Sequence, residues 1–246
     1  MTVRIVTGTG TGVGKTIITA ALAAVAKDTG HKVAVVKPAQ TGITPQESGD
    51  INEISRLSDI EDLYELQRFP DPLAPETAAR VRGIKPLARK QLTSAITTIA
   101  DDHDQVLVEG AGGLLVRFDE DGTTIADIAE DLAAHIDTEV VVVANAALGT
   151  LNHTALTLEA LQHRKLHCAG VVIGAWPLEP DLACRTNLVD LASLIGAPIS
   201  GAMLADAAHL STANFLAAAE SALSPALGGR FDAADFIQTF QIRRIP

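Results

Sequence analysis

Cysteine is scarce in this chain, cations are outnumbered, and no long apolar run occurs; each shortage removes a class of function. The only cysteines, Cys168 and Cys184, stand in unrelated contexts. They support neither a disulfide framework nor a cysteine-rich metal site, and the expected compartment is the reducing cytoplasm. Lys and Arg number 19 against 30 Asp and Glu, a formal net charge of -11. That balance argues against nucleic acid or an anionic membrane as a partner, so an anionic ligand has to be held by local cations and helix N-termini. No apolar stretch approaches membrane-spanning length, and Met1 leads straight into the first apolar run. Neither a membrane segment nor a targeting leader is expected. What is present is a hydrophobic content of 47% over 246 residues, enough for one substantial core. A single domain over 1–246 is expected, with an insertion-like stretch at 60–86 and a C-terminal helical segment at 207–246.

The most informative stretch is VRIVTGTGTGVGKTIITA, residues 3 to 20. A β-branched run, Val3 to Val6, reads as a buried strand; a Gly- and Thr-rich turn follows, and Gly14-Lys15-Thr16 opens an Ala-rich helix. Strand, glycine turn and helix in this order form a P-loop. Glycines let successive backbone N–H groups point at a phosphate chain, and the helix N-terminus adds positive potential. Lys15 would sit on the outer phosphates and the Thr16 hydroxyl would ligate Mg²⁺. The usual spacing would put the first glycine at position 9, which is Thr9, so the loop is one residue longer than the standard motif.

The P-loop helix is expected over Lys15 to Asp28, ended by Gly30, with a second strand over Lys32 to Val36 terminating at Lys37-Pro38. The short spacing favours a parallel βαβ unit, whose ligands bind at the carboxyl edge. Asp50 is in position to cap a helix from about Ile51 to Leu57. The stretch from Ile60 to Pro86, rich in Pro and charge, reads as carrying short helices. Leu87 to Ala100 follows as a helix, then Gln105 to Val108 as a strand ending in Glu109 and a glycine cluster. A carboxylate at a strand end followed by glycines is a Walker B-like position near Mg²⁺. Ile125 to His135 reads as a helix, and the very apolar Glu139 to Ala144 as a central strand covered on both faces. A loop at Leu148 enters a helix running to about Arg164; Cys168 to Ile173 is a strand ending at Gly174. Helices are expected over Leu182 to Ile195, Ser211 to Leu223 and Asp232 to Phe240, with a short strand near Ile199 to Gly201. The alternation predicts an α/β fold: a doubly wound, mostly parallel sheet flanked by helices, P-loop NTPase-like.

Four blocks in order carry a resemblance that covers the chain to about residue 205. They are Gly8 to Thr16, Lys37-Pro38-Ala39-Gln40-Thr41-Gly42, Val108-Glu109-Gly110-Ala111-Gly112-Gly113 and Leu148-Gly149-Thr150-Leu151-Asn152-His153-Thr154. Together they resemble the dethiobiotin synthetases. The resemblance implies a homodimeric, ATP-dependent cyclo-ligase of biotin synthesis that joins CO2 (or bicarbonate) to the two amines of 7,8-diaminopelargonate. In that family a carbamate oxygen attacks the γ-phosphate and the second amine displaces phosphate. Such chemistry depends on positioning and charge neutralisation. By resemblance, Lys37, Lys15 and Thr11 are catalytic, and Thr16, Asp50 and Glu109 form a hard oxygen set for Mg²⁺. Nucleotide contacts fall on Gly12, Val13, Gly14, Lys15, Thr16, Ile17, Asp50, Glu109, Gly110, Ala111 and Gly112, and toward the base on Gly174, Ala175, Leu204, Ala205 and Asp206. Substrate contacts fall on Thr41 and on Leu148, Gly149, Thr150, Leu151 and Asn152. That last loop would present its N–H groups to the substrate carboxylate of the neighbouring subunit.

Plainer readings stand beside these. Lys37 suits an ordinary solvated strand end, Asp50 and Asn152 suit helix caps, and Trp176 suits either a stacking platform or a rim. His163 and His167 read as surface residues, because Lys165-Leu166 ends the helix between them. Two departures concern the base. Gly174 stands where some family members carry an Asn, and Leu204-Ala205-Asp206 stands where many carry a proline turn, so other nucleoside triphosphates are expected to be accepted beside ATP. The competing function is a partition- or positioning-type switch ATPase of the same superfamily. Those proteins carry a lysine early in the P-loop, whereas positions 8 to 13 here hold only Gly, Thr and Val. A cobyrinate-amidase synthetase is the third reading, and the chain leaves no length for the ammonia-supplying domain it requires.

Overall fold

A computed structural model describes residues 1–242. Its organising strand is β1 (Thr2–Gly8), followed by α1 (Lys15–Asp28), β2 (Val33–Lys37), β3 (Gln40–Thr41) and α2 (Asp50–Ser58). Then come β4 (Leu63–Glu65), β5 (Arg68–Phe69), α3 (Pro75–Arg82), α4 (Arg89–Ala100), β6 (Gln105–Gly113), α5 (Ile125–Ala133) and β7 (Asp137–Ala144). The remainder is α6 (Thr150–His163), β8 (Cys168–Trp176), α7 (Leu182–Ile195), β9 (Gly201–Leu204), α8 (Thr212–Ala222) and α9 (Ala233–Phe240), with two short 3-10 turns flanking α8. Seven strands form one sheet in the order β4-β2-β6-β1-β7-β8-β9, and every adjacent pair is parallel. A separate two-stranded pair, β3 with β5, lies outside it.

The central strands are apolar on both faces because both are covered. In β7, Val140, Val142 and Ala144 join one buried cluster, while Val141 and Val143 join another. The first cluster packs against Leu92 and Ile96 of α4 and Ile125 and Ile128 of α5. The second packs against Ile18 and Leu22 of α1, Ile54 and Leu57 of α2, and Phe215 of α8. Period-two alternation into two apolar layers is what a buried parallel sheet requires. Beyond β8 a third cluster joins Trp176, Leu188, Leu191 and Phe231.

The observed bounds of α1 and α7 coincide with the expected ones, and β1, β2, β6, β7 and β8 lie on the expected stretches. Three differences stand beside these. The 60–86 stretch, expected to hold short helices, also holds two strands, and β4 is the edge strand of the main sheet. A strand of three residues is too short to show a period. β6 runs on through the glycines to Gly113, and β8 through Gly174 and Ala175 to Trp176. The last short strand lies two residues later than expected, at Gly201–Leu204. Among the described residues no helix is long and apolar enough to cross a membrane.

Candidate active site

All the loops of interest leave the carboxyl edge of the sheet, where doubly wound folds bind ligands. The P-loop follows β1 and delivers the chain into α1 through Gly14, whose φ of 96° favours glycine. A second reason for glycine there is space: a Cβ at Gly14 would lie 2.6 Å from the carbonyl oxygen of Gly174. In β1, Val6 stands level with Glu109 of β6, and Val36 of β2 stands level with Val108. One residue further, Lys37 therefore comes beside Glu109, although 72 positions separate them. Strand register, not sequence proximity, assembles the pair.

Lys37 is the electrostatic centre of the site. Its ammonium lies 2.7 Å from Glu109 Oε1 and 2.6 Å from Asp50 Oδ2, and it donates to the Gly110 carbonyl oxygen at 3.3 Å. Lys37 is 3% exposed and Glu109 1%. Burial acts to lower the lysine, but Glu109 and Asp50 more than offset it and hold Lys37 above the usual lysine range. Lys37 is therefore a paired, buried cation and not a solvated strand end. Lys15 is the contrasting case: burial pulls it below the usual range, Glu109 counters this and Lys37 adds to it. Its ammonium donates to the Gly10 carbonyl oxygen at 3.1 Å, folded over the loop. The Thr16 hydroxyl donates to Glu109 Oε1 at 3.0 Å.

Asp50 does not cap α2. The N-cap is Gly49 with extended backbone, and Asp50 is the first helical residue, which frees its carboxylate for Lys37. Its own N–H is taken by Gln40 Oε1 at 2.9 Å. Asn152 is likewise no cap: the N-cap of α6 is Gly149, at φ 95°, and Thr150, Leu151 and Asn152 lie in the first helical turn.

A cavity of about 680 Å³ gathers Thr11, Gly12, Gly14, Lys15, Thr16, Ile17, Lys37, Thr41, Asp50, Glu109, Ala111 and Gly112. Val13, Gly110, Gly174, Ala175, the Leu204–Asp206 turn and the Leu148–Asn152 loop do not line it. Val13 is buried beneath the loop. The sequence reading missed the wall formed by Pro72, Leu73, Ala74 and Pro75, and also Val116. The only signal for that wall was the proline-rich run Pro70 to Pro75, which holds no period. A neighbouring cleft of about 400 Å³ shares Thr11 and Val116 with the cavity and is lined further by Leu115, His153 and Leu156. Trp176 is neither platform nor rim: it is fully buried, with its ring centroid 5.2 Å from those of Phe236 and Phe240 of α9.

The donor set suits a hard divalent cation. Among the described residues no group of three or more His, Cys, Asp or Glu could hold a metal, so an all-protein cage is absent. One hydroxyl and two carboxylates remain, and Mg²⁺ commonly combines a few such ligands with waters and substrate phosphates. Glu109 Oε2 is a buried acceptor without a hydrogen-bond partner. A buried carboxylate oxygen left unpaired is costly, and a bound cation would satisfy it.

A phosphate-cradling loop at the edge of a parallel sheet, backed by buried lysine and carboxylates, defines a P-loop nucleotide-dependent enzyme. A family model described as "AAA domain" matches residues 3–205. A protein of Frankia casuarinae, "ATP-dependent dethiobiotin synthetase BioD", is 57% identical over 96% of this chain and 98% of its own length. A protein of the same name from a Parafrankia strain is 53% identical over 98% of this chain and 100% of its own length. Among solved structures, the cell division ATPase MinD of Pyrococcus furiosus matches with a TM-score of 0.54 at 16% identity, covering 92% of this chain and 96% of that one. A Cyanothece McdA–ATP complex matches with a TM-score of 0.57 at 13% identity, covering 100% and 99%. At such identities the two structures are evidence of the fold alone. The chain belongs to the ATP-dependent dethiobiotin synthetase family, and so to the ligases.

Proposed function

We propose that this chain closes the ureido ring of dethiobiotin on 7,8-diaminopelargonate, using CO2 and ATP, with Lys37 as the residue on which turnover depends. The observation that carries the reading is the buried Lys37 ammonium, 2.6 and 2.7 Å from two carboxylates and lining one cavity with the P-loop. One amine adds to CO2, loses a proton and becomes a carbamate. A carbamate oxygen then attacks the γ-phosphorus and ADP leaves, giving a carbamic-phosphoric anhydride. The second amine attacks the carbonyl carbon and expels inorganic phosphate, closing the ring as a proton departs.

Both reacting partners of the middle step are anions, so the protein's task is to bring them together. Lys37 holds a carbamate oxygen, and Lys15, released from the Gly10 carbonyl, holds the γ-phosphate. Thr11 and Thr41 give hydroxyls to the amines or the carbamate. The backbone of Gly12, Gly14 to Ile17, Ala111 and Gly112, which line the cavity, cradles the phosphates. Thr16, Asp50 and Glu109 would hold Mg²⁺, which when bound neutralises phosphate charge.

At Gly174 no side-chain amide is available to read the base edge, and Leu204-Ala205-Asp206 has no proline turn; losing a side-chain partner weakens discrimination between bases. The expected result is that kcat/KM for CTP and GTP lies within about 100-fold of that for ATP. Steady-state rates check this, and a larger ATP preference contradicts it. The enzyme acts in the cytoplasm as a homodimer, with the Leu148–Asn152 loop serving the partner's site. Support comes from Leu148, 88% exposed, and from exposed Leu115 and Leu156 in the second cleft.

Given diaminopelargonate, bicarbonate and Mg-ATP, the purified protein is expected to form dethiobiotin, ADP and phosphate in equal amounts. Nucleotide hydrolysis stimulated by DNA or lipid, with no product, would instead identify a switch ATPase.

A further inference from the structure

The turn that joins β7 to α6 is held by a side chain from a different element. Asn187, in the middle of α7, points its amide at the turn, and Nδ2 donates to the carbonyl oxygens of Ala146 at 2.8 Å and Ala147 at 3.1 Å. Asn187 is 5% exposed, and the other buried residues of α7 are Cys184, Leu188 and Leu191. Asparagine is a poor helix former, and a buried amide is costly unless bonded. An asparagine in that apolar row is accounted for by the two carbonyls it satisfies. The rest of the turn is ordered around the same atoms: Asn145 Oδ1 accepts the Ala147 N–H at 2.9 Å, and the Thr150 N–H reaches the Ala147 oxygen at 3.2 Å. Gly149 then launches α6. The N–H groups of that first turn have no carbonyl partner within their own helix and give the start of α6 a positive potential.

We infer that Asn187 is a positioning residue for the carboxylate of the diamine substrate. It pins two successive carbonyls of the turn, so the N–H groups of Leu151 and Asn152 keep one direction. The anchor is itself fixed, since Leu188 and Leu191 pack in the cluster with Trp176 and Phe231, and Arg185 Nε donates to the Phe240 carbonyl oxygen at 2.8 Å. α7 and the C-terminal α9 thus reach the substrate loop through one amide. The inference rests on the proposed reading of the Leu148–Asn152 loop as the carboxylate site.

The test compares two substrates in two proteins: diaminopelargonate and 2,3-diaminononane, which keeps the vicinal diamine and lacks the carboxylate, each with wild type and Asn187→Leu. Leucine matches asparagine in shape and removes both donors. Wild type is expected to favour the carboxylate substrate by about 100-fold or more in kcat/KM, and Asn187→Leu to cut that preference by at least about tenfold. The loss should appear as a raised KM for diaminopelargonate, with kcat, the KM for ATP and the rate on 2,3-diaminononane within about twofold of wild type. Should Asn187→Leu not fold, Asn187→Asp carries the same test, since it keeps the shape and puts acceptors where donors are needed. An unchanged preference in the variant, or an equal loss on both substrates, overturns the inference and leaves the proposed reaction standing. A wild type that makes no product from diaminopelargonate overturns both.

Discussion

Lys37→Ala is expected to lower kcat by at least about 10³-fold, some 4 kcal/mol of transition-state stabilisation, while ADP affinity changes by less than about threefold. In the proposed reaction the two effects separate, because the P-loop backbone, Lys15 and Thr16 are assigned to the nucleotide and Lys37, 2.6 and 2.7 Å from Asp50 and Glu109, is assigned to the carbamate. The same change removes the only ammonium paired to Glu109 among the described residues. An uncompensated buried charge costs about 3–5 kcal/mol, so the ligand-free variant should also melt at a lower temperature, and magnesium should restore part of the loss. The Lys37 contribution is complete at neutral pH: its folded value is raised, so it disappears only as alkaline pH removes the proton. Initial rates, an ADP titration and a thermal melt check these statements together. Turnover within about tenfold of wild type would remove Lys37 from the reaction.

Gly174→Asn should damage the P-loop, not sharpen base reading. A Cβ at this position would fall 2.0 Å from the Val13 carbonyl oxygen and 2.6 Å from Val143 Cγ1. Val13 is the residue before Gly14, so relieving the clash displaces the phosphate-binding turn itself. Overpacking of this kind costs about 3 kcal/mol or more, which for a chain of this size lowers the melting temperature by roughly 10 °C. Nucleotide affinity should fall with it. Gly174→Ala shares the offending atom and should share most of the effect, which makes the pair a test of steric cause. Normal melting and normal ATP binding in both variants would contradict it.

Strand, glycine turn and helix are local, so β1, the P-loop and α1 can be read from residues 3 to 20. The alternation of short apolar runs with helices gave the doubly wound class, since both covered faces of the sheet must be apolar. Lys37 and Glu109 could each be placed at a strand end, but their contact depends on the β2–β6 register, which no local pattern encodes. Asp50 was open between cap and ligand because the choice turns on one residue of helix boundary. Trp176 was open because its burial depends on Phe236 and Phe240, some sixty positions away in sequence. The Pro72–Pro75 wall of the cavity escaped because prolines mark a turn without saying what it faces. Asn187 escaped for a different reason: a polar residue in a helix reads as solvated until its neighbours are known.

The central claim is that the site holds a carbamate beside the phosphate it attacks, and the path of one oxygen tests it. When ring closure runs with ¹⁸O-labelled CO2 and unlabelled Mg-ATP, the carbamate oxygen that attacks the γ-phosphorus leaves with it. The account predicts inorganic phosphate carrying one ¹⁸O per dethiobiotin formed. Phosphate free of label, with dethiobiotin still produced, would contradict it.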